Sequence, residues 1–206
     1  MLTTIYLIRH SKTNGIDNFV GATLQEKNEN VGLSKEGYSI IEKISKSNEL
    51  KNIDVIYSSH YKRALYTAEY IAKENNHDII VDDRFGERKH GVSFFDELPK
   101  DYELKQFKDD NFKVGNGESL KEVRIRMYNA LQDILNKNKG KRIVVLSHST
   151  AIASLLKTWC EIIYPDSYEF KGNKFFDGKW IACETFKLTI DNDKLIDIEN
   201  IKYEED

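Results

Sequence analysis

Two unbroken apolar runs stand out from the alternation of hydrophobic and polar positions. Thr4-Ile5-Tyr6-Leu7-Ile8 is apolar or β-branched throughout and stops at Arg9-His10. Ile143-Val144-Val145-Leu146, opened by Arg142 and closed by Ser147-His148, has the same form. Such runs predict strands buried on both faces, as in a parallel sheet. Asp54-Val55-Ile56-Tyr57, which leads into Ser58-Ser59, and Ile79-Ile80-Val81 predict two further short strands. Between the strands the period lengthens to that of helices. Leu33-Ser34-Lys35-Glu36-Gly37 opens one, with Ser34 as N-cap and Ile40, Ile41 and Ile44 on the apolar face. Tyr61, Ala64, Leu65, Ala68, Ile71 and Ala72 mark another, with Arg63 in its first turn and Ser58 or Ser59 placed to cap it. Ser119 and Glu122 have capping-box spacing ahead of the stripe Leu120, Val123, Met127, Leu131, Ile134 and Leu135, which Gly140 ends. Residues 149–159 are apolar nearly all round and predict a buried helix.

Residues 14–32 show no period and read as loop. Residues 92–117 scatter Phe94, Phe95, Leu98, Tyr102, Leu104, Phe107 and Phe112 among charges, which predicts one or two short helices forming a lid or side subdomain. Residues 184–190 and 195–201, joined by Asp191-Asn192-Asp193, predict a β-hairpin. No repeat and no Gly-, Pro- or Ser-rich linker divides the chain. The pattern predicts a single α/β domain over 1–206, a three-layer αβα sandwich on a mainly parallel sheet, with a lid inserted at about 92–117.

Composition narrows the class. A chain of 206 residues supports one sizeable core, and a net charge of −3 argues against a nucleic-acid or membrane-surface protein. Cys160 and Cys183 form no disulfide framework and read as buried fillers. With no apolar run of membrane length and no signal-peptide pattern, the expected location is the cytoplasm. Oligomeric state is not readable from these features.

The chemistry gathers at strand and helix ends. Arg9, His10, Arg63 and His148 can converge on one crevice at the carboxyl edge of a parallel sheet. Two guanidiniums there imply a dianion, and two histidines beside them suit phosphoryl transfer, one as nucleophile and one as hydrogen-bond donor. Glu87 is placed to protonate a leaving oxygen if a lid shelters it and raises its pKa. Blander roles compete: a strand-end Arg, a capped His10 and a satisfied core His148. His60 and His77 read as solvated, and His90 as a lid contact. No His-Glu-x-x-His or paired-cysteine metal motif, nucleophile elbow or Gly-rich phosphate loop is present, so neither metal nor cofactor is expected.

The motifs taken together resemble the histidine phosphatase (phosphoglycerate mutase-like) superfamily. Leu7-Ile8-Arg9-His10-Ser11-Lys12-Thr13 looks like its Arg-His-Gly-Glu-Thr signature. Leu33 to Gly37, Ser58 to Ala64 with Thr67-Ala68-Glu69, Glu87 to Gly91, Gly117-Glu118-Ser119 and Val145 to His148 follow in that family's order. The resemblance implies that His10 is the phosphorylated nucleophile, that Arg9, Arg63 and His148 hold the phosphoryl group, and that Glu87 is the acid. It implies a metal-independent phosphatase acting on a small phosphorylated molecule. The rivals are a mutase, for which Arg88 after the acid would bind substrate, and a weakly active phospho-ligand-binding member. The chain departs from the pattern at Ser11, which replaces glycine and whose hydroxyl either adds a phosphate contact or is merely tolerated. It departs also at Ile16, where Asn14 or Asn18 would have to replace a phosphate-binding asparagine, at Val92-Ser93-Phe94 and at Ser149-Thr150.

Overall fold

A computed structural model of the chain describes residues 1–15, 21–163 and 167–203. Along it run β1 (Leu2–Arg9), α1 (Leu24–Asn30), α2 (Lys35–Ser45), β2 (Val55–Ser58), α3 (Lys62–Asn75), β3 (Ile79–Val81), α4 (Tyr102–Lys108), α5 (Leu120–Lys137), β4 (Arg142–Ser147), α6 (Ser149–Leu156), β5 (Glu161–Ile163), β6 (Ser167–Phe170), β7 (Asn173–Phe176), β8 (Thr185–Asp191) and β9 (Lys194–Ile201). The main sheet has the order β3-β2-β4-β1-β8-β9. Its first four strands are parallel, and the β8–β9 hairpin adds on antiparallel. This is the three-layer, mainly parallel α/β architecture that the apolar runs predict.

The unbroken runs of β1 and β4 are explained by a core on each face. In β1, Ile5 and Leu7 join Val123, Met127, Leu131 and Ile152 of α5 and α6. Tyr6 and Ile8 point the other way, into Ile41, Ala64, Ala68 and Ile71 of α2 and α3. Strand side chains alternate with a period of two, so a strand covered on both sides must be apolar at every position.

Three expectations change, and one element is added. Residues 14–32 are not all loop, because α1 lies within them. Only Leu24 of that helix is buried, and the Thr23–Glu26 capping box starts it, so it has no apolar stripe to show. The N-cap of α3 is Tyr61, not Ser58 or Ser59, whose hydroxyls bond the Ser59 carbonyl and His148. The helix after His148 ends at Leu156 rather than Trp159. A small antiparallel sheet, β5-β6-β7, covers one end of the core and was not foreseen. The lid does contain one 3₁₀ turn at Phe95–Glu97 and the short helix α4. Among the described residues no helix is long and apolar enough to cross a membrane.

One contact ties the fold to the sheet edge. Gly37 in α2 presses on the Lys12 backbone, and a Cβ there would overlap the Lys12 carbonyl oxygen. The Ser34 amide donates to that same carbonyl over 2.9 Å. Gly37→Ala should therefore force apart α2 and the segment after β1, lowering stability by about 1–3 kcal/mol in urea unfolding. An unchanged midpoint would show that the segment yields freely.

Candidate active site

Parallel pairing brings the ends of β1, β2 and β4 level. Arg9 pairs with Ser147 and Ser58 with Leu146, and the His10 amide donates to the Ser147 carbonyl over 3.0 Å. His10, Ser59 and His148 therefore emerge side by side. The His10 and His148 rings lie 5.2 Å apart between centroids, and both residues are buried.

His10 Nδ1 lies 2.7 Å from the Ser11 carbonyl oxygen. A carbonyl only accepts, so Nδ1 carries the proton and Nε2 keeps its lone pair. Burial, reinforced by the positive charges of Arg63 and Arg9, pushes the His10 pKa well below its ordinary value and keeps the ring neutral. His148 is held neutral by burial and by Arg63. Its Nε2 lies 2.8 Å from Ser59 Oγ, and its buried Nδ1 has no hydrogen-bond partner among the described residues. When Ser59 donates to Nε2, the remaining ring proton is on Nδ1, a buried donor awaiting a ligand acceptor.

The two arginines are supported differently. Arg63 lies over the Tyr61 ring at 4.9 Å and donates to the Asn28 carbonyl of α1. Burial lowers its pKa to about 10, opposed mainly by Glu87, so it remains charged at neutral pH. Arg9 Nη1 donates to the carbonyls of Trp180 (3.0 Å) and Ile181 (3.1 Å). The Glu184 carboxylate closes that turn by accepting from the Ile181 amide. It is itself buried under Asn200 (2.6 Å) and Lys202 (2.9 Å).

Glu87 joins the same group, since its charge acts on both Arg9 and Arg63. The shelter expected from the lid is instead a helix end. Glu87 Oε1 accepts from the amides of Arg88 (2.8 Å) and Ala151 (3.0 Å), and Oε2 from that of Thr150 (3.3 Å), at the start of α6. Arg126 of α5 fixes the backbone beneath it, donating to the carbonyls of Arg84, Gly86 and Glu87.

The structure therefore brings together Arg9, His10, Arg63, Glu87 and His148. It removes Ser11 from the phosphate-binding set: the residue is fully buried, and its hydroxyl donates to the Gly37 carbonyl over 2.7 Å. Its φ is not positive, which is why a side chain is tolerated where the pattern has glycine. Arg88 is buried and its guanidinium is engaged, by Gln106 at 2.7 Å and His90 at 3.1 Å. His90 is the lid contact expected of it. Asn14 is exposed on the rim of a cleft of about 460 Å³ that includes Arg9, His10 and Lys12, whereas Ile16 and Asn18 lie outside the described residues. Ser59, Arg126 and Glu184 escaped the sequence reading. Only the capping position of Ser59 gave a local signal, because the other two act through backbone segments distant in sequence.

The chain is similar to known proteins along most of its length. A family model described as the histidine phosphatase superfamily (branch 1) matches residues 5–174. The chain is 24% identical over 178 residues to phosphoserine phosphatase 1 of Hydrogenobacter thermophilus, covering 82% of this chain and 80% of that one. It is 30% identical over 163 residues to phosphoglycerate mutase-like protein 4 of Arabidopsis thaliana, covering 73% and 68%. Its fold matches a phosphoserine phosphatase from Entamoeba histolytica, solved with phosphoserine, at a TM-score of 0.67 with 20% identity, over 96% of each chain.

Two neutral buried histidines make stability depend on pH. Below about pH 6.5 the unfolded chain takes up protons that His10 and His148 refuse in the fold. Stability should fall between pH 6.5 and 5 by up to about 1.4 kcal/mol per pH unit for each. His90, lowered to about 4 by burial and Arg88, adds in the same direction. Urea midpoints across this range, compared with those of His148→Asn, measure the effect, and a flat wild-type profile contradicts it.

Proposed function

The chain belongs to the histidine phosphatase superfamily, and from that premise we propose that it is a metal-independent phosphatase. It hydrolyses a small phosphate monoester through a phosphohistidine intermediate. The observation that carries this reading is the 2.7 Å bond from His10 Nδ1 to the Ser11 carbonyl, which leaves a neutral Nε2 lone pair beside Arg9 and Arg63. Nε2 attacks phosphorus, a P–N bond forms and the ester P–O bond breaks. Arg9, Arg63 and the Nδ1 donor of His148 take the phosphoryl oxygens and stabilise the charge they carry in the transition state. Glu87 gives a proton to the departing alcohol. It then takes one from the water that cleaves the P–N bond, restoring His10 and releasing phosphate. The positive charge that phosphoryl transfer requires is supplied by guanidiniums, so no metal has a task in this scheme.

Relatives of both reaction types match the chain, and the lid favours hydrolysis over mutase chemistry. A mutase must hold a second acidic group, and Arg88, the cation nearest Glu87 in sequence, is already engaged by Gln106 and His90. The lid supplies Asp96, Glu97, Asp101, Glu103, Asp109 and Asp110 against only Lys100, Lys105, Lys108 and Lys113. We read residues 1–206 as one catalytic domain. Its two buried free thiols suit a reducing cytoplasm.

Quenching with acid-free denaturant during turnover of a reactive aryl phosphate should trap an acid-labile, base-stable phosphoryl group on His10. His10→Ala should lose both adduct and turnover while keeping its far-UV spectrum, and prior dialysis against a strong chelator should change neither rate nor adduct. Wild-type rates in His10→Ala would sink the mechanism. Glu87→Gln should slow alkyl phosphates at least 100-fold more than aryl phosphates, whose leaving groups need little protonation. Equal losses on both would reassign Glu87 to a binding role.

A further inference from the structure

One buried side chain touches several groups of the anion site and has no part in the chemistry. Tyr61 is fully enclosed. Its ring centroid lies 4.7 Å from that of His148 and 4.9 Å from the guanidinium carbon of Arg63. Its amide donates to Ser59 Oγ over 3.3 Å, which leaves the Ser59 proton for His148 Nε2 at 2.8 Å.

The ring is itself held in place. Gln25 of α1 donates to the phenol oxygen over 2.8 Å, and the His60 ring meets it edge-on at 4.7 Å. Gly86 leaves the room it needs, since a Cβ there would come 3.2 Å from Tyr61 Cε1. With Asn28 receiving Arg63, α1 meets this group at two points.

A buried cation needs a partner, and the partner decides what remains for a ligand. A carboxylate would neutralise Arg63 and occupy its N–H groups. A ring face attracts the guanidinium through its quadrupole and occupies none of them. Among the described residues the guanidinium meets the Tyr61 ring and the Asn28 carbonyl, and no carboxylate is paired with it. Glu87 supplies the main opposing charge, yet its oxygens accept from the amides of Arg88, Thr150 and Ala151. Without the ring, Arg63 is free to turn toward Glu87. That turn would withdraw a cation from the anion site and tie up the carboxylate.

We propose that Tyr61 is a positioning residue of the phosphate site. Its ring carries Arg63 and packs against His148, keeping both directed at the phosphoryl group while taking no hydrogen bond from either. The assignment rests on the phosphatase reading for the identity of the ligand.

The test uses the full chain with Tyr61→Phe, Tyr61→Leu and Tyr61→Met. Calorimetry with inorganic phosphate reads the site without turnover, and initial rates with p-nitrophenyl phosphate read kcat and KM. Tyr61→Phe keeps a ring face and should stay within about threefold of wild type in both. Leucine and methionine fill the space without such a face. Each should weaken phosphate binding about tenfold, the scale of one desolvated cation–π contact. The ratio kcat/KM should fall at least as far, because the same contacts serve the transition state. The partnership with Arg63 also predicts that losses do not add: on top of Arg63→Ala, Tyr61→Leu should cost less than about threefold more. A further loss of about tenfold in that background would mark general loosening of the site and overturn the proposal. So would wild-type phosphate affinity in Tyr61→Leu or Tyr61→Met, or a loss in Tyr61→Phe equal to theirs. Far-UV spectra and urea midpoints identify the folded variants, and Tyr61→Met carries the comparison if Tyr61→Leu does not fold. If the phosphate ranking holds but wild type hydrolyses no ester, Tyr61 keeps its role and the phosphatase reading falls. If wild type hydrolyses esters and the ringless variants match it in binding and turnover, the phosphatase reading stands and the role of Tyr61 falls.

Discussion

Three parallel strands that stop level with one another govern the whole site. The pairing of β1 with β4 and of β4 with β2 puts His10, His148 and Ser59 on one edge without help from any loop. Because the strands are covered on both faces, that edge is also the floor of a low-dielectric crevice. The same burial does two jobs. It keeps both imidazoles neutral, and it makes the charges of Arg9 and Arg63 count for more than they would in water. An imidazole with a free lone pair and a concentration of positive charge thus arise from one arrangement of backbone.

Much of this was legible in the sequence because burial on two faces leaves no polar position in a strand. The runs ending at Arg9-His10 and at Ser147-His148 could be read as sheet core with functional ends, and Arg63 as a first-turn residue of the next helix. What could not be read lacks that imprint. Helix α1 is started by a cap and buries a single leucine, so no stripe announces it, yet it supplies the Asn28 carbonyl that receives Arg63. Ser11 looked like a spare hydroxyl, since nothing local reveals that Gly37 would claim it. Arg126 and Glu184 act on carbonyls and turns that only the folded chain brings to them.

The group around Glu87 shows how one carboxylate serves several neighbours. It caps the start of α6, whose own N-cap, His148, makes no side-chain capping bond, and its charge offsets those of Arg9 and Arg63. The helix that follows the second histidine is thereby stitched to Glu87.

The turn that holds Arg9 binds early chain to late chain. Arg9 belongs to β1, which is made before the other strands described here, but its guanidinium rests on the Trp180 and Ile181 carbonyls, whose turn is closed by Glu184 and braced by Asn200 and Lys202. A nascent chain can form β1, β2 and β4 and still lack an oriented arginine until residues near 200 have emerged and β9 has joined β8. The setting of an early strand is in this sense completed by a late one, and without β9 the turn that holds Arg9 beside His10 loses its braces.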